Sequence, residues 1–274
     1  MSNIALGQFY PSSSFMHRLD PRMKIVIGIA YIVASFLCSN VLSFVLLLLS
    51  AILLIAISKI PFKVVLRSIK ALIFIMLFTA ILNVFWTKGS EDELLFAWQF
   101  IEIYSSGLYN AAFIVVRIVS MIIGTSIFLT YTTTPIQLTD ALERLLSPLK
   151  VIKVPVHEFS MMMTIALRFI PTIVEETGKI MSAQKARGAD FTQGSLSKRA
   201  KALVPVLIPL FISAFRRAGE LATAMTCRCY RGGEGRTRMT KLTMTYRDAI
   251  AVAGVAIFIA GIVLLNEFAP GYSM

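Results

Sequence analysis

The sequence predicts an all-α, polytopic membrane protein with about five transmembrane helices and a separate helical domain on the cytoplasmic side. Three observations carry this. Apolar residues make up 57% of the 274 positions, and the mean hydropathy is +0.75, above the share an ordinary soluble domain can hide. Uncharged runs of spanning length recur along the first half and again near the end. The net charge of +12 is distributed very unevenly. The three cysteines, Cys38, Cys227 and Cys229, give no disulfide framework, and the N-terminus carries no signal-peptide pattern.

A membrane-crossing helix needs about 20 largely apolar residues. Residues 25–58 are uncharged, too long a run for one span at ~1.5 Å per residue, and Ser39-Asn40 offers the turn. The first two spans are therefore placed at 22–38 and 41–58, with Arg22 and Lys24 as snorkelling anchors of the first. The third is 71–86, ending at Trp86, a residue type of the interfacial belt. The fourth is 106–131 and contains Arg117; the fifth is 249–266. A charge inside a span is often functional because burial is costly. No second charge lies in another span to form a relay, so Arg117 is expected near an interface or paired inside the bundle.

The loops set the direction. Arg18, Arg22 and Lys24, then Lys59, Lys63, Arg67 and Lys70, fall on one side, together with 18 of the 27 basic residues in 132–248. The opposite side holds only Lys88, against Glu91, Asp92, Glu93 and Glu102, and no basic residue in 267–274. Basic loops stay cytoplasmic. The expectation is a multi-pass cell-membrane protein with a cytoplasmic N-terminus and an external C-terminus. It divides into a membrane domain, 1–131, a cytoplasmic helical domain, 132–248, and a last transmembrane helix with an external tail, 249–274.

Segment 132–248 has no run long enough to span: its longest uncharged stretch, 202–215, is broken by Pro205 and Pro209. Helix signals fill it. Thr134-Pro135 opens a helix that Ser147-Pro148 closes; Pro155 opens another that runs to Arg187-Gly188; a third begins at Lys198 and reaches about Arg228. The second carries two apolar stripes, Met162, Ile165, Phe169 and Ile173, and Met163, Leu167, Ile170, Val174 and Met181. One apolar face suffices for a surface helix. Either both stripes are internal packing, or one docks a partner, for which methionine-rich faces are suited. Ala214, Ala218 and Ala222 on the third helix allow a close helix approach.

Both long helices end in arginine beside small residues: Ala186-Arg187-Gly188 and Cys227-Arg228-Cys229, the latter followed by Tyr230-Arg231-Gly232-Gly233. Arginine at a helix C-terminus and glycine beyond it make an ordinary cap. Two such endings, each with a small neighbour, also leave room for a guanidinium to enter a partner groove and fork onto a carboxylate. Here the chain resembles the transmembrane T component of energy-coupling factor (ECF) transporters. The resemblance rests on Gly7-Gln8-Phe9-Tyr10, His17-Arg18-Leu19-Asp20-Pro21-Arg22, Ser147-Pro148-Leu149-Lys150 and Ala166-Leu167-Arg168-Phe169-Ile170-Pro171. Its most specific parts are Ala183-Gln184-Lys185-Ala186-Arg187-Gly188-Ala189-Asp190 and Arg228-Cys229-Tyr230-Arg231-Gly232-Gly233.

The resemblance implies an L-shaped arrangement in a prokaryotic cell membrane and a coupling role for the cytoplasmic helices. It implies that Arg187 and Arg228, with Ala186, Gly188, Cys227 and Cys229, contact two ATP-binding cassette ATPases. It also implies a small membrane-embedded S component that binds a vitamin or other micronutrient, docked by the stripe Met163, Leu167, Ile170 and Val174. Cys227 and Cys229 depart from the family's Ala-Arg-Gly pattern, though both are small. This chain would then be a non-catalytic transport subunit without cofactor, ATP and Mg residing on the ATPases.

Other classes fit poorly. His157-Glu158 reads as a helix first turn rather than an enzymatic site, with Glu158 favoured by the dipole. Cys227-x-Cys229 lacks the further ligands of a closed zinc site. Gly232-Gly233-Glu234-Gly235-Arg236 is not followed by Lys-Ser/Thr, so it is no phosphate-binding loop. A secondary transporter would show repeats or polar mid-membrane breaks. The basic residues follow topology and lack interleaved aromatics, so no nucleic-acid partner is expected.

Overall fold

In a computed structural model, residues 9–86, 94–98, 101–191, 195–232 and 242–268 are described. Two compact units form: one runs to Ala141 and resumes at Leu242, and the other occupies Leu142–Lys241.

The first unit is the apolar one. It contains α1 (Pro21–Leu37), α2 (Val41–Ser58), α3 (Phe62–Trp86), α4 (Ser105–Thr125) continued by a π turn (Ser126–Tyr131), and α8 (Tyr246–Phe268). Helix α4 is the hub, packing against α1, α2 and α3, while α1 also packs on α8. One core cluster joins Ile27, Tyr31 and Ala34 of α1 to Phe44 and Leu47 of α2, Phe128 and Ile262. A second surrounds the π turn, where Ile127 and Tyr131 meet Ala51, Ile60, Val65 and Ile123. Contact between α1 and α4 is close enough that a Cβ on Gly124 would collide with the buried Tyr31 ring, so only glycine fits there. Large apolar side chains elsewhere on these helices are exposed, as expected where the surrounding medium is lipid.

Local chemistry explains where the helices begin and end. Asp20 caps α1 by accepting from the Arg22 amide at 2.9 Å, with Pro21 in the first turn. Ser39-Asn40 separates α1 from α2 as the sequence indicates. Lys59 ends α2 in the left-handed region at φ 54°. Five helices are long and apolar enough to cross a membrane: α2, α3, α4 with its π turn, α7 (counted from Ser197 to Cys227) and α8. The number agrees with the sequence reading, but the membership differs. Helix α1 has only 17 residues, about 26 Å at ~1.5 Å per residue. Helix α7 qualifies because apolar residues continue on both sides of Arg216-Arg217, which interrupt the uncharged run but not the hydropathy.

Two short strands, β1 (Leu94–Trp98) and β2 (Ile101–Tyr104), pair antiparallel in the loop before α4. The sequence reading assigned this loop no structure. The other regular elements of the described chain are helices.

The second unit holds the end of α5 (Pro135–Leu145), a 3-10 turn (Ser147–Ile152), α6 (Val156–Ala186) and α7 (Leu196–Cys227). Helices α5 and α6 start at the prolines read from sequence, Pro135 and, as N-cap of α6, Pro155; α7 starts at Leu196, two residues before Lys198, because the Ser195 side chain caps it by accepting from the Lys198 amide. Glu158 sits in the first turn of α6, and His157 Nδ1 lies 3.0 Å from Glu143 Oε1.

Candidate functional site at the ends of the two longest helices

Helices α6 and α7, of 31 and 32 residues, end in the same geometry. Arg187 is the C-cap of α6, at φ −87° and ψ 8°; Arg228 is the C-cap of α7, at φ −91° and ψ 18°. The Arg187 amide donates to Ala183 and Gln184 carbonyls at 3.2 and 3.1 Å; the Arg228 amide donates to Ala224 and Met225, both at 3.2 Å. Gly188 N–H then reaches Lys185 O at 2.9 Å, and Ala189 N–H reaches Gln184 O at 3.0 Å. In the second ending, Cys229 N–H reaches Thr226 O at 2.9 Å and Tyr230 N–H reaches Met225 O at 3.0 Å. This 6→1 and 5→2 pairing is the Schellman arrangement, which satisfies the last carbonyls with backbone alone.

That backbone pairing decides what the arginine side chains are not needed for. The carbonyls of Ala183, Gln184 and Lys185, and of Ala224, Met225 and Thr226, are satisfied by amides, and both arginines are exposed. Among the described residues neither guanidinium forms a side-chain hydrogen bond or ion pair. Each is held at a defined point at a helix end, with its charge unspent.

The Schellman pairing places Gly188 as the cap glycine that the sequence indicates, and sets the same backbone demand on Cys229. The position after each arginine is left-handed: Gly188 at φ 87° and Cys229 at φ 54°. Glycine adopts this conformation freely, whereas a residue with a Cβ is held there at a cost of about 1–2 kcal/mol. Cys229 therefore takes glycine's place in a conformation that its own propensity opposes.

The two apolar stripes of α6 are separated in space. Met162, Ile165, Phe169 and Ile173 line a groove of about 390 Å³ shared with α7. Ala214, Ala218 and Ala222 form its other wall, at the spacing that favours close approach. An Arg217–Glu176 ion pair at 2.7 Å ties the helices together. Gln184 donates to the Pro205 carbonyl at 3.5 Å, a group left without its helical partner because Pro209 has no N–H. On the other stripe, Met163, Ile170 and Val174 are exposed, and Leu167 is half-buried.

The chain is similar to known proteins over most of its length. The family of cobalt transport proteins (CbiQ) matches residues 12–239. The energy-coupling factor transporter transmembrane protein EcfT of Clostridium kluyveri is 51% identical over 92% of this chain and 92% of its own. The chain belongs to the EcfT family. The EcfT proteins of Ruminiclostridium cellulolyticum and Bacillus subtilis are 49% and 45% identical, over 96% and 95% of this chain and 97% of each of theirs. Members are transmembrane components of a transporter, which fits the spanning helices of the first unit.

Two residues of the membrane unit have roles that the sequence reading missed. Lys24 is not a snorkelling anchor. It is 1% exposed and donates to the Thr132 carbonyl just beyond the π turn at 2.7 Å. Asp248, assigned no role from sequence, accepts from the amides of Asp20 at 2.8 Å and Thr245 at 2.7 Å, joining the start of α1 to that of α8. Arg117 pairs inside the bundle: it donates to the Cys38 carbonyl at 2.9 Å and lies 5.2 Å from the Phe44 ring centre.

The left-handed position makes a direct prediction. Gly188→Ala should lower the stability of the purified chain by about 1 kcal/mol. Cys229→Gly should leave stability unchanged or raise it by up to about 1 kcal/mol, because strain is removed. Thermal unfolding in detergent reads both. A destabilising Cys229→Gly change would mean that the cysteine side chain makes a contact outweighing the backbone strain.

Proposed function

We propose that this chain is the membrane scaffold and coupling subunit of an ECF-type ABC importer. Two cytoplasmic ATPases hydrolyse ATP with Mg, and the chain passes that motion to a small membrane-embedded S component for uptake of a vitamin or other micronutrient. The chain itself is non-catalytic and holds no cofactor. The supporting observation is the pair of matched endings, two exposed arginines at geometrically equivalent helix ends capped by backbone amides. Two equivalent ends suit two homologous partners. Planar, five-donor guanidinium is the side chain suited to forking onto a carboxylate.

In this reading α6 and α7 lie on the cytoplasmic side, with the N-terminus, and the C-terminus is external. The charges of α7 support that placement: Lys198, Arg199 and Lys201 at its start and Arg216, Arg217 and Glu220 further on would be costly in hydrocarbon. Ala186, Gly188, Cys227 and Cys229 leave space around each arginine. The stripe of exposed Met163, Ile170 and Val174 with half-buried Leu167 is not part of the α6–α7 groove lining, and docks the S component. Substrate choice lies with that component.

Arg187→Ala should weaken complex assembly or uncouple transport, and adding Arg228→Ala should be far worse. Removing one partner of a buried, hydrogen-bonded charge pair costs ~2–5 kcal/mol at an interface. Lysine should restore only part, since it keeps the charge and loses the planar fork. An exposed cap is worth only ~0.3–1 kcal/mol. Normal ATP-driven uptake and co-purification of the ATPases with the double variant would falsify the role.

The docking stripe is separable from the arginines. Leu167→Asp or Ile170→Asp should release the S component and leave both ATPases bound, as read by affinity purification of the tagged complex. Simultaneous loss of all partners would assign the stripe to folding.

A further inference from the structure

Helix α3 begins with a face that nothing in the described chain neutralises. Lys63, Arg67 and Lys70 recur at spacings of four and three residues, so they form one stripe over the first turns, next to Lys59 at the α2–α3 corner. All four are exposed. Among the described residues none makes a side-chain hydrogen bond or ion pair. Acidic residues are absent from the first turn of α3. Stacked like charges disfavour the helix, and a cation in its first turn also opposes the dipole. The earlier basic group behaves differently, with Arg22 paired to Asp20 at 2.7 Å and Lys24 buried on the Thr132 carbonyl.

The stripe does not stop at Lys70. At the same helical period it continues through Phe74, Leu77 and Ile81, which are 77%, 61% and 45% exposed. Lys70 to Ile81 spans about 16 Å at ~1.5 Å per residue, the reach of a lipid tail. On the reverse face Val65 is buried and the Ser68 hydroxyl meets the Tyr131 hydroxyl, so this is the side that packs on the π turn. One continuous outward stripe is thus cationic for two turns and apolar for three.

We propose that this stripe is a binding site for an anionic phospholipid. The headgroup phosphate lies among Lys63, Arg67 and Lys70, with Lys59 beside it, and an acyl chain runs along Phe74, Leu77 and Ile81. Charge complementarity accounts for the first half, since basic clusters beside a span attract anionic lipid. Continuity into the spanning part of α3 favours lipid over a soluble acidic protein, which could meet the cations but could not follow the stripe into hydrocarbon.

Binding of fluorescent phosphatidylglycerol to the full-length chain in detergent tests this. Phosphatidylcholine and glycerol phosphate serve as competitors. Wild type should prefer phosphatidylglycerol over phosphatidylcholine, lose affinity as salt rises, and ignore glycerol phosphate. About 1 kcal/mol per cation converts to about fivefold each. The triple change Lys63→Gln, Arg67→Gln and Lys70→Gln should therefore weaken binding about a hundredfold. Phe74→Ser should weaken it less, and Lys150→Gln with Lys153→Gln should not change it. The salt titration needs no variant, so a triple variant that fails to fold does not shield the proposal. Equal binding of the two phospholipids, affinity independent of salt, or unchanged affinity in a folded triple variant would overturn it. So would competition by glycerol phosphate as effective as by lipid. Loss of protein partners from the triple variant with lipid affinity intact would assign the stripe to a protein interface instead.

Discussion

A backbone amide or carbonyl left open inside hydrocarbon has no water to turn to, and each such group costs several kcal/mol. Helix ends are where those groups collect, and the polar residues of the membrane unit gather there. Asp20 and Asp248 take amides at the starts of α1 and α8. Arg117 and Asn266 donate to the Cys38 and Leu37 carbonyls at the end of α1, Asn266 at 2.6 Å. Asn40 and Ser43 bond back to the last residues of α8. Lys24 satisfies Thr132, the first carbonyl past the π turn. A bundle whose apolar faces look outward to lipid gains little from burial there. These end-to-end ties fix which helix lies beside which.

The second unit obeys the same constraint by a different route. Helices α6 and α7 close their ends with backbone amides in the Schellman pattern and leave the arginine side chains out of it. Arg22 is spent on Asp20, Arg117 on a carbonyl, and Arg217 on Glu176. What sets Arg187 and Arg228 apart is position: two exposed arginines, without a side-chain partner among the described residues, stand at matched helix ends. Under the proposed coupling, placement matters equally: each arginine sits at the end of a helix of some 30 residues.

Hydropathy and helix punctuation in the sequence were enough to place α2, α4, α5, α6 and α8, because uncharged runs and proline starts are local signals. The basic first turns of α3 were read as loop, since charge alone ends a span on paper though not a helix. Helix α7 was judged too short to span for the same reason, Arg216-Arg217 interrupting the count. Both long-range roles escaped notice. Asp20-Pro21 announces a cap, but nothing local says that its amide bonds Asp248, 228 residues away. Lys24 looks like an anchor until Thr132 is brought beside it. The arginine endings and their likeness are visible as motifs; the left-handed backbone at Cys229 is not, because a cysteine side chain does not advertise it.

The account stands or falls on whether both helix ends meet an ATPase. Photo-crosslinking in the assembled transporter, with a probe placed at Ala186 in one variant and at Cys227 in another, reads this directly. The expected result is one ATPase adduct from each position, with the two positions labelling different ATPase copies. Probes that capture no ATPase at either position, while the complex stays assembled, would contradict the coupling role and return both arginines to the status of helix caps.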